Sequence, residues 1–324
     1  MVNRVWLVPY LKGWSYDLTA QALVKHLSHR FEFRVSHTDS THRVNIKDAD
    51  LVVDFWWKGL LHKRFGRRVV KQVSSHRWNH QERYGQMSAE KLIRGHLQKT
   101  GGVLVPSVRL HTELAEAPFV ALCPKGFHPE TFGDYDMRGG DLTIGWAGAA
   151  TATDKNVGIL TTAAPDLRMA DRCLTQEEMP DFYNGLDVIA CASTAEGDPR
   201  PLIEGMACGC FPVTTDVGIV PDLVRHGDNG LVVERTPEAF AQAFQWCREN
   251  LEYVRWAGSQ NALDMLKKRT WAHVAPAWGD AFDAAIGRAP PPYVQKIDTR
   301  ETRRQERIDR VAYRAEVRRL AARR

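Results

Sequence analysis

The chain has 324 residues, 44% hydrophobic and 26% charged, which is enough apolar material for two domains, each with its own core. No apolar run reaches the length of a membrane span, and the run at 5–8 is too short for a signal peptide. Cys123, Cys173, Cys191, Cys208, Cys210 and Cys247 lack metal-ligand spacing, so they are expected to be reduced core thiols of a cytoplasmic protein that binds no metal.

In chain order, residues 5–8 predict a strand, followed by a loop holding Lys12, Gly13 and Trp14 and a helix over 16–27 with apolar positions at helical spacing. Strands are predicted at 33–36, 51–55, 69–73 and 103–105, with a helix over 90–98 between the last two. Residues 131–140, rich in Gly and Asp, read as a linker. Strands then recur at 142–146, 187–191, 211–214 and 231–233. Such alternation implies an α/β fold with parallel sheets covered by helices on both faces. A helix over 271–286 ends before Pro290-Pro291-Pro292, where the backbone donors run out.

Two glutamates, Glu196 and Glu204, stand eight positions apart in the run S-T-A-E-G-D-P-R-P-L-I-E-G. The first follows a buried strand and the second lies in a helix entered through Pro201. Strand, tight loop and helix N-terminus is the order in which an open α/β sheet holds a phosphate-bearing ligand, because unpaired N–H groups and the helix dipole favour an anion. The carboxylates flank that position. They can accept hydrogen bonds from the hydroxyls of a ribose and of a sugar.

This run resembles the E-x7-E signature of the retaining glycosyltransferases of family four, and the likeness extends over roughly 120–285. Cys123-Pro124-Lys125-Gly126-Phe127-His128, leading to Phe132, is similar to the "VPNGVD...F" phrase that closes the first domain of that family. Residues 143–148 with Lys155-Asn156 resemble its opening strand, glycine turn and Lys-Asn pair. Thr215-Asp216-Val217-Gly218, Pro221-Asp222-Leu223-Val224 and Gly227-Asp228-Asn229-Gly230 follow the phrase after the second glutamate. The resemblance implies the GT-B fold, two Rossmann-like domains with parallel sheets facing a central cleft. The expected division is an acceptor-side domain over 1–130, the linker 131–140 and a nucleotide-sugar-binding domain over 141–275. A helix over 276–288 would cross back to the first domain, and 289–324 would form a Pro-rich turn and basic tail.

The resemblance further implies sugar transfer from a nucleotide sugar, a UDP-sugar by family frequency, with retention of configuration and no cofactor required. Glu204 would bind the ribose and Glu196 would lie by the transferred sugar. The N–H groups near Leu202 and Ile203 would hold the diphosphate with Lys155, framed by Gly197, Pro201 and Gly148. Arg172 and Cys173 lie near where relatives hold the base. Most relatives carry an arginine shortly after the glycine turn, whereas Ala149 and Ala150 follow Gly148 here. Arg200, between the two glutamates, is either the substitute diphosphate clamp or a surface arginine. A GT-B module that binds a nucleotide without catalysis is the alternative of another class.

On the first domain, His76 falls where many relatives place a polar residue near the acceptor, to bind a hydroxyl or help with its proton, or it is a solvated loop histidine. Gly13 and Trp14 occupy the first β-α turn, which would face the cleft. Residues 55–100 carry eleven Lys or Arg against Glu82 and Glu90, a net of +9, and 296–324 carry a net of +6, while the whole chain is only +5. This concentration suggests a polyanionic acceptor or surface. Because Trp56, Trp57, Trp78 and Tyr84 interleave the charges, one candidate is DNA with an extruded, hydroxyl-modified base. The others are an anionic membrane with a lipid-linked or polysaccharide acceptor, and a basic face that serves only solubility.

Overall fold

A computed structural model describes residues 2–37, 49–80 and 84–287, the side chain of Arg64 excepted. Its first sheet joins β1 (Asn3–Val8), β2 (Phe31–Val35), β3 (Leu51–Asp54), β4 (Val69–Gln72), β5 (Gly102–Val105) and β6 (Val120–Leu122) in the order β2-β1-β3-β4-β5-β6. Helices α1 (Ser15–Leu27), α2 (His62–Phe65), α3 (Arg77–His80), α4 (Ala89–Leu92) and α5 (Val108–Glu113) connect these strands. The second sheet joins β7 (Ile144–Gly148), β8 (Arg168–Asp171), β9 (Val188–Cys191), β10 (Phe211–Thr214) and β11 (Leu231–Val232) in the order β11-β10-β9-β7-β8. Between its strands lie α6 (Val157–Ala163), α7 (Met179–Asn184), α8 (Arg200–Ala207) and α9 (Val220–Leu223). Three further helices follow, α10 (Pro237–Glu249), α11 (Leu251–Lys268) and α12 (Trp271–Ile286).

All strand pairs are parallel, as helical crossovers require. Every residue of β3 and β9 is buried, which explains their unbroken apolar runs where a one-faced strand would alternate. Thr236 caps α10 by accepting the Ala239 N–H (3.1 Å), and Pro237 supplies the first helical position. Helix α12 crosses back to the first sheet. Its Trp271, Val274, Trp278 and Phe282 share a core with Leu7, Leu23 and Val53, and each such burial is worth about 1.5–3 kcal/mol. Trp278 Nε1 donates to the Pro124 carbonyl (2.8 Å), and Arg30 holds Asp280 (3.0 Å) and Asp283 (2.8 Å).

The predicted helix over 90–98 is divided. Helix α4 stops at Leu92 and a π turn follows over Ile93–Leu97, with the Gln98 N–H on the Ile93 carbonyl (2.8 Å). The His96 carbonyl in this turn accepts from Lys71 Nζ (2.9 Å), which also donates to Trp57 O (2.8 Å). A buried ammonium needs such acceptors. Strands β6 and β8 are absent from the sequence reading, being short and, in β8, with only Ala170 buried. The crossing helix begins at Trp271, earlier than the expected 276, and the tail over 289–324 lies outside the described residues. All six cysteines are free thiols, five of them buried and Cys173 exposed. No described helix is long and apolar enough to cross a membrane.

Candidate active site

The loops at the carboxyl ends of the two sheets meet along one seam, the usual place for a ligand in open α/β sheets. Gly197, after β9, packs on Ser74, after β4, so closely that a Cβ would stand 1.4 Å from the Ser74 carbonyl oxygen. Only glycine fits there. Arg77 reaches from the first domain to Asp154, with Nε 2.9 Å from Oδ2, and the Lys125 N–H donates to Asp198 (2.6 Å). Further along, the Val108 N–H donates to Asp222 (3.0 Å) and Arg109 to Asp216 (2.7 Å).

Glu196 is buried at the centre of this seam. Its Oε1 accepts from Lys155 Nζ and from the Ser193 hydroxyl (3.3 Å). Burial pushes its carboxyl upward, but the charges of Lys155, Arg77 and Lys125 outweigh that and hold it below the ordinary range. Burial acts to lower the Lys155 ammonium, and Glu196 more than restores it. Asn156, in the left-handed conformation (φ 49°) that asparagine tolerates, ties the Lys155 turn to the end of β9 through the Ala192 carbonyl (3.1 Å) and Thr194 hydroxyl (2.7 Å).

Glu204 projects from α8 one turn beyond Arg200. Its Oε1 takes both Nε (3.0 Å) and Nη2 (2.6 Å) of Arg200, and Oε2 accepts from the Tyr183 phenol (3.3 Å). Burial first, and then Glu204, push Tyr183 well up, so the phenol remains a donor. Arg200 is therefore the ion-pair partner of a motif carboxylate. The expectation for Leu202 and Ile203 requires correction. Both N–H groups donate to the Pro199 carbonyl (3.1 and 3.3 Å) and Pro201 has no N–H, so this helix start offers few free donors.

The remaining expected residues divide between seam and core. Arg172 lies over the Trp14 ring (5.1 Å to the centroid), joining the loop after β8 to the first domain, and Cys173 beside it is exposed. Gly13 has φ +75°, and its N–H is held by Asp17 (2.8 Å) in the first turn of α1. Gly148 ends β7 over the Trp146 ring, and Ala150 N–H after it donates to Asp171 (2.8 Å). His76 is not a solvated loop residue: it is buried against Trp78 and His80, with Nε2 3.1 Å from Glu113. Trp57 and Trp78 are also buried, at 5% and 1% exposure, in a core with Leu92 and Leu110, so neither can stack on a base. Trp56 is half-buried and stacks on the exposed Tyr10 (6.0 Å).

Sequence reasoning missed Arg77, Asp154 and Asp198 as seam residues. Arg77 was counted only as charge, although it adjoins the His76 that was singled out. Asp154 and Asp198 each sit one or two positions from a motif residue, and only the tertiary contacts give them roles.

The whole arrangement is similar to solved structures. Sucrose-phosphate synthase from Thermosynechococcus elongatus matches with a TM-score of 0.73 over 89% of this chain and 100% of that one, at 13% identity. Anabaena HepE in complex with UDP and glucose matches with 0.65 over 88% and 100%, at 14% identity. The fold is GT-B. Within this GT-B chain, residues 147–250 match the family described as Glycosyl transferases group 1. The D-inositol 3-phosphate glycosyltransferase of Streptomyces griseus subsp. griseus is 30% identical over 112 residues, 34% of this chain and 24% of that one. Its counterpart from Streptomyces bingchenggensis is 27% identical over 113 residues, 35% and 25% of the two chains. The chain thus spans about a quarter of the length of these curated relatives. Glu196, Glu204, Lys155 and Arg200 fall inside the family match, whereas His76, Arg77 and Lys125 fall outside it.

Proposed function

We propose that this protein is a glycosyltransferase that moves a sugar from a nucleotide sugar, a UDP-sugar first, to an acceptor hydroxyl with retention of configuration. The observation that carries this reading is the pairing of each motif glutamate with a cation at the seam, Glu196 with Lys155 and Glu204 with Arg200. A diphosphate would draw both cations to its oxygens by charge-assisted hydrogen bonds. That frees Glu204 for the ribose hydroxyls and Glu196 for the hydroxyls of the transferred sugar. The GT-B fold, the group 1 match and the UDP and glucose bound to HepE support this donor class.

In the proposed reaction the bond from the anomeric carbon to the distal phosphate oxygen breaks, and negative charge gathers on that phosphate. Lys155 and Arg200 stabilise it, each on the scale of about 2.7–4 kcal/mol for one well-placed donor in a water-excluded site. The acceptor oxygen bonds to the anomeric carbon from the leaving group's face, and its proton passes to the departing phosphate. Side chains do the charge neutralisation, so the reaction as proposed needs no metal.

For the acceptor, the basic first domain favours an anionic hydroxyl compound, and the D-inositol 3-phosphate in the relatives' names is of that kind. DNA with a hydroxyl-modified base is the second reading, supported by charge alone now that Trp57, Trp78 and Lys71 are buried. Incubation with UDP-, GDP- and ADP-glucose, followed by proton NMR of the anomeric signal, tests the donor and the stereochemistry. Consumption of UDP-glucose with an α-configured product is expected. No turnover of any donor would overturn the activity, and a β product would overturn retention. A labelled duplex that fails to bind at low salt would remove the DNA reading.

A further inference from the structure

The first domain carries a buried lysine for which neither the E-x7-E run nor the group 1 match has a role. Lys125 follows β6 and stands where the family phrase has asparagine. Its backbone is held on several sides. The N–H donates to Asp198 (2.6 Å), the carbonyl accepts Arg269 Nε (2.9 Å), and the next residue, Gly126, lies so close to α12 that a Cβ would stand 2.6 Å from Trp271 N. The Lys125 side chain passes the Tyr16 ring (5.8 Å from Nζ to the centroid) and ends at the Ser15 hydroxyl (3.1 Å).

An ammonium has three donors, and among the described residues Ser15 Oγ is the single hydrogen-bond acceptor of this one. Lys125 is 6% exposed, so its other donors have little access to water. The charges that act on it are Asp198, Arg200, Glu196 and Lys155. Arg200, Glu196 and Lys155 are groups of the proposed donor site, and Asp198 is also within 3.7 Å of Arg269. Asp198 and Glu196 offset part of the cost of burying this ammonium, yet neither takes a hydrogen bond from it, so an anion that did so would satisfy its remaining donors.

We propose that Lys125 is a third cation of the donor's diphosphate, supplied by the first domain in place of the arginine missing after Gly148. It acts together with Lys155 and Arg200 of the second domain, so that the diphosphate is gripped from both sides of the seam. This rests on the nucleotide-sugar reading.

Calorimetric titration of the full chain with UDP, UMP and uridine, repeated for Lys125→Met and Lys125→Asn, tests it. Methionine keeps the buried stem and removes the charge, while asparagine restores the family residue. The wild type is expected to bind UDP most tightly. Both variants should lose tenfold or more for UDP and less for UMP, with uridine binding within twofold of wild type, which also shows that they are folded. Equal losses for all three ligands, or none for UDP, would overturn the assignment. If wild type binds none of UDP, GDP or ADP, the nucleotide-sugar reading itself falls, a result distinct from failure of Lys125 alone.

Discussion

The two sides of the seam are built differently. On the second domain, Lys155, Glu196, Arg200 and Glu204 come from two short loops and one helix start, and each glutamate is joined to a cation within the same domain. On the first domain, Tyr16 comes from the start of α1, Ser74 and Arg77 from the segment after β4 and Lys125 from the loop after β6, and Arg77 and Lys125 find their charged partners on the other domain. The second domain therefore pairs its own charges. The first supplies Arg77 and Lys125, whose charged partners lie across the seam.

The largest effect should separate full from partial burial within the aromatic cluster of the first domain. Trp78→Ala should cost about 3–5 kcal/mol of stability in denaturant titration, since the ring is fully buried. Trp56→Ala should cost less, about 1–2 kcal/mol, the ring being half-buried against Tyr10 and Tyr84. Similar losses from both would break the distinction between a fully buried tryptophan and a half-buried one. Next, Lys155→Ala should lower kcat/KM for the nucleotide sugar about 10²–10³-fold, measured by donor consumption below the melting temperature, which should itself fall because Glu196 is left buried without its ion-pair partner. Arg200→Ala should raise the donor KM or lower kcat by about tenfold, less than Lys155→Ala because Tyr183 still holds Glu204. Unchanged kinetics would return Arg200 to a purely structural partner of Glu204.

The smallest effect concerns acid stability. Glu196 sits below its ordinary value of 4.5 in the fold, so it binds protons less readily there than in the unfolded chain. Its contribution is full above about 4.5 and is lost as pH falls through the folded value. Glu196→Gln should therefore flatten the acid limb of a melting-temperature profile below about pH 4.5 and leave its neutral region parallel to wild type. An unchanged acid limb would mean that Lys155, Arg77 and Lys125 do not set the charge of Glu196.

The contrast between the two sides also explains what was legible in the sequence. The strand before Glu196, the helix start at Pro201 and the Lys155-Asn156 turn are local patterns, each set by a few neighbouring residues, and the structure places them as read. Glu196 and Glu204 each face a cation of their own domain. The N–H groups of Leu202 and Ile203 did not follow, because the Pro199 carbonyl competes for them and sequence does not reveal that competition. The indoles of Trp57 and Trp78 were read as surface from the charges around them, yet alternate residues of a short loop can face opposite ways. Arg77 is invisible as a site residue until the second domain brings Asp154 within 2.9 Å. The basic tail beyond 288 lies outside the described residues, so its part in the charge pattern is left with the sequence.

The most direct measurement is a crystal structure of the protein soaked with UDP. The account predicts the ribose on Glu204, with the Arg200 guanidinium and the Lys155 ammonium turned from the two glutamates onto the diphosphate. A nucleotide bound elsewhere, or at the seam with both Arg200–Glu204 and Lys155–Glu196 pairs intact, would contradict it.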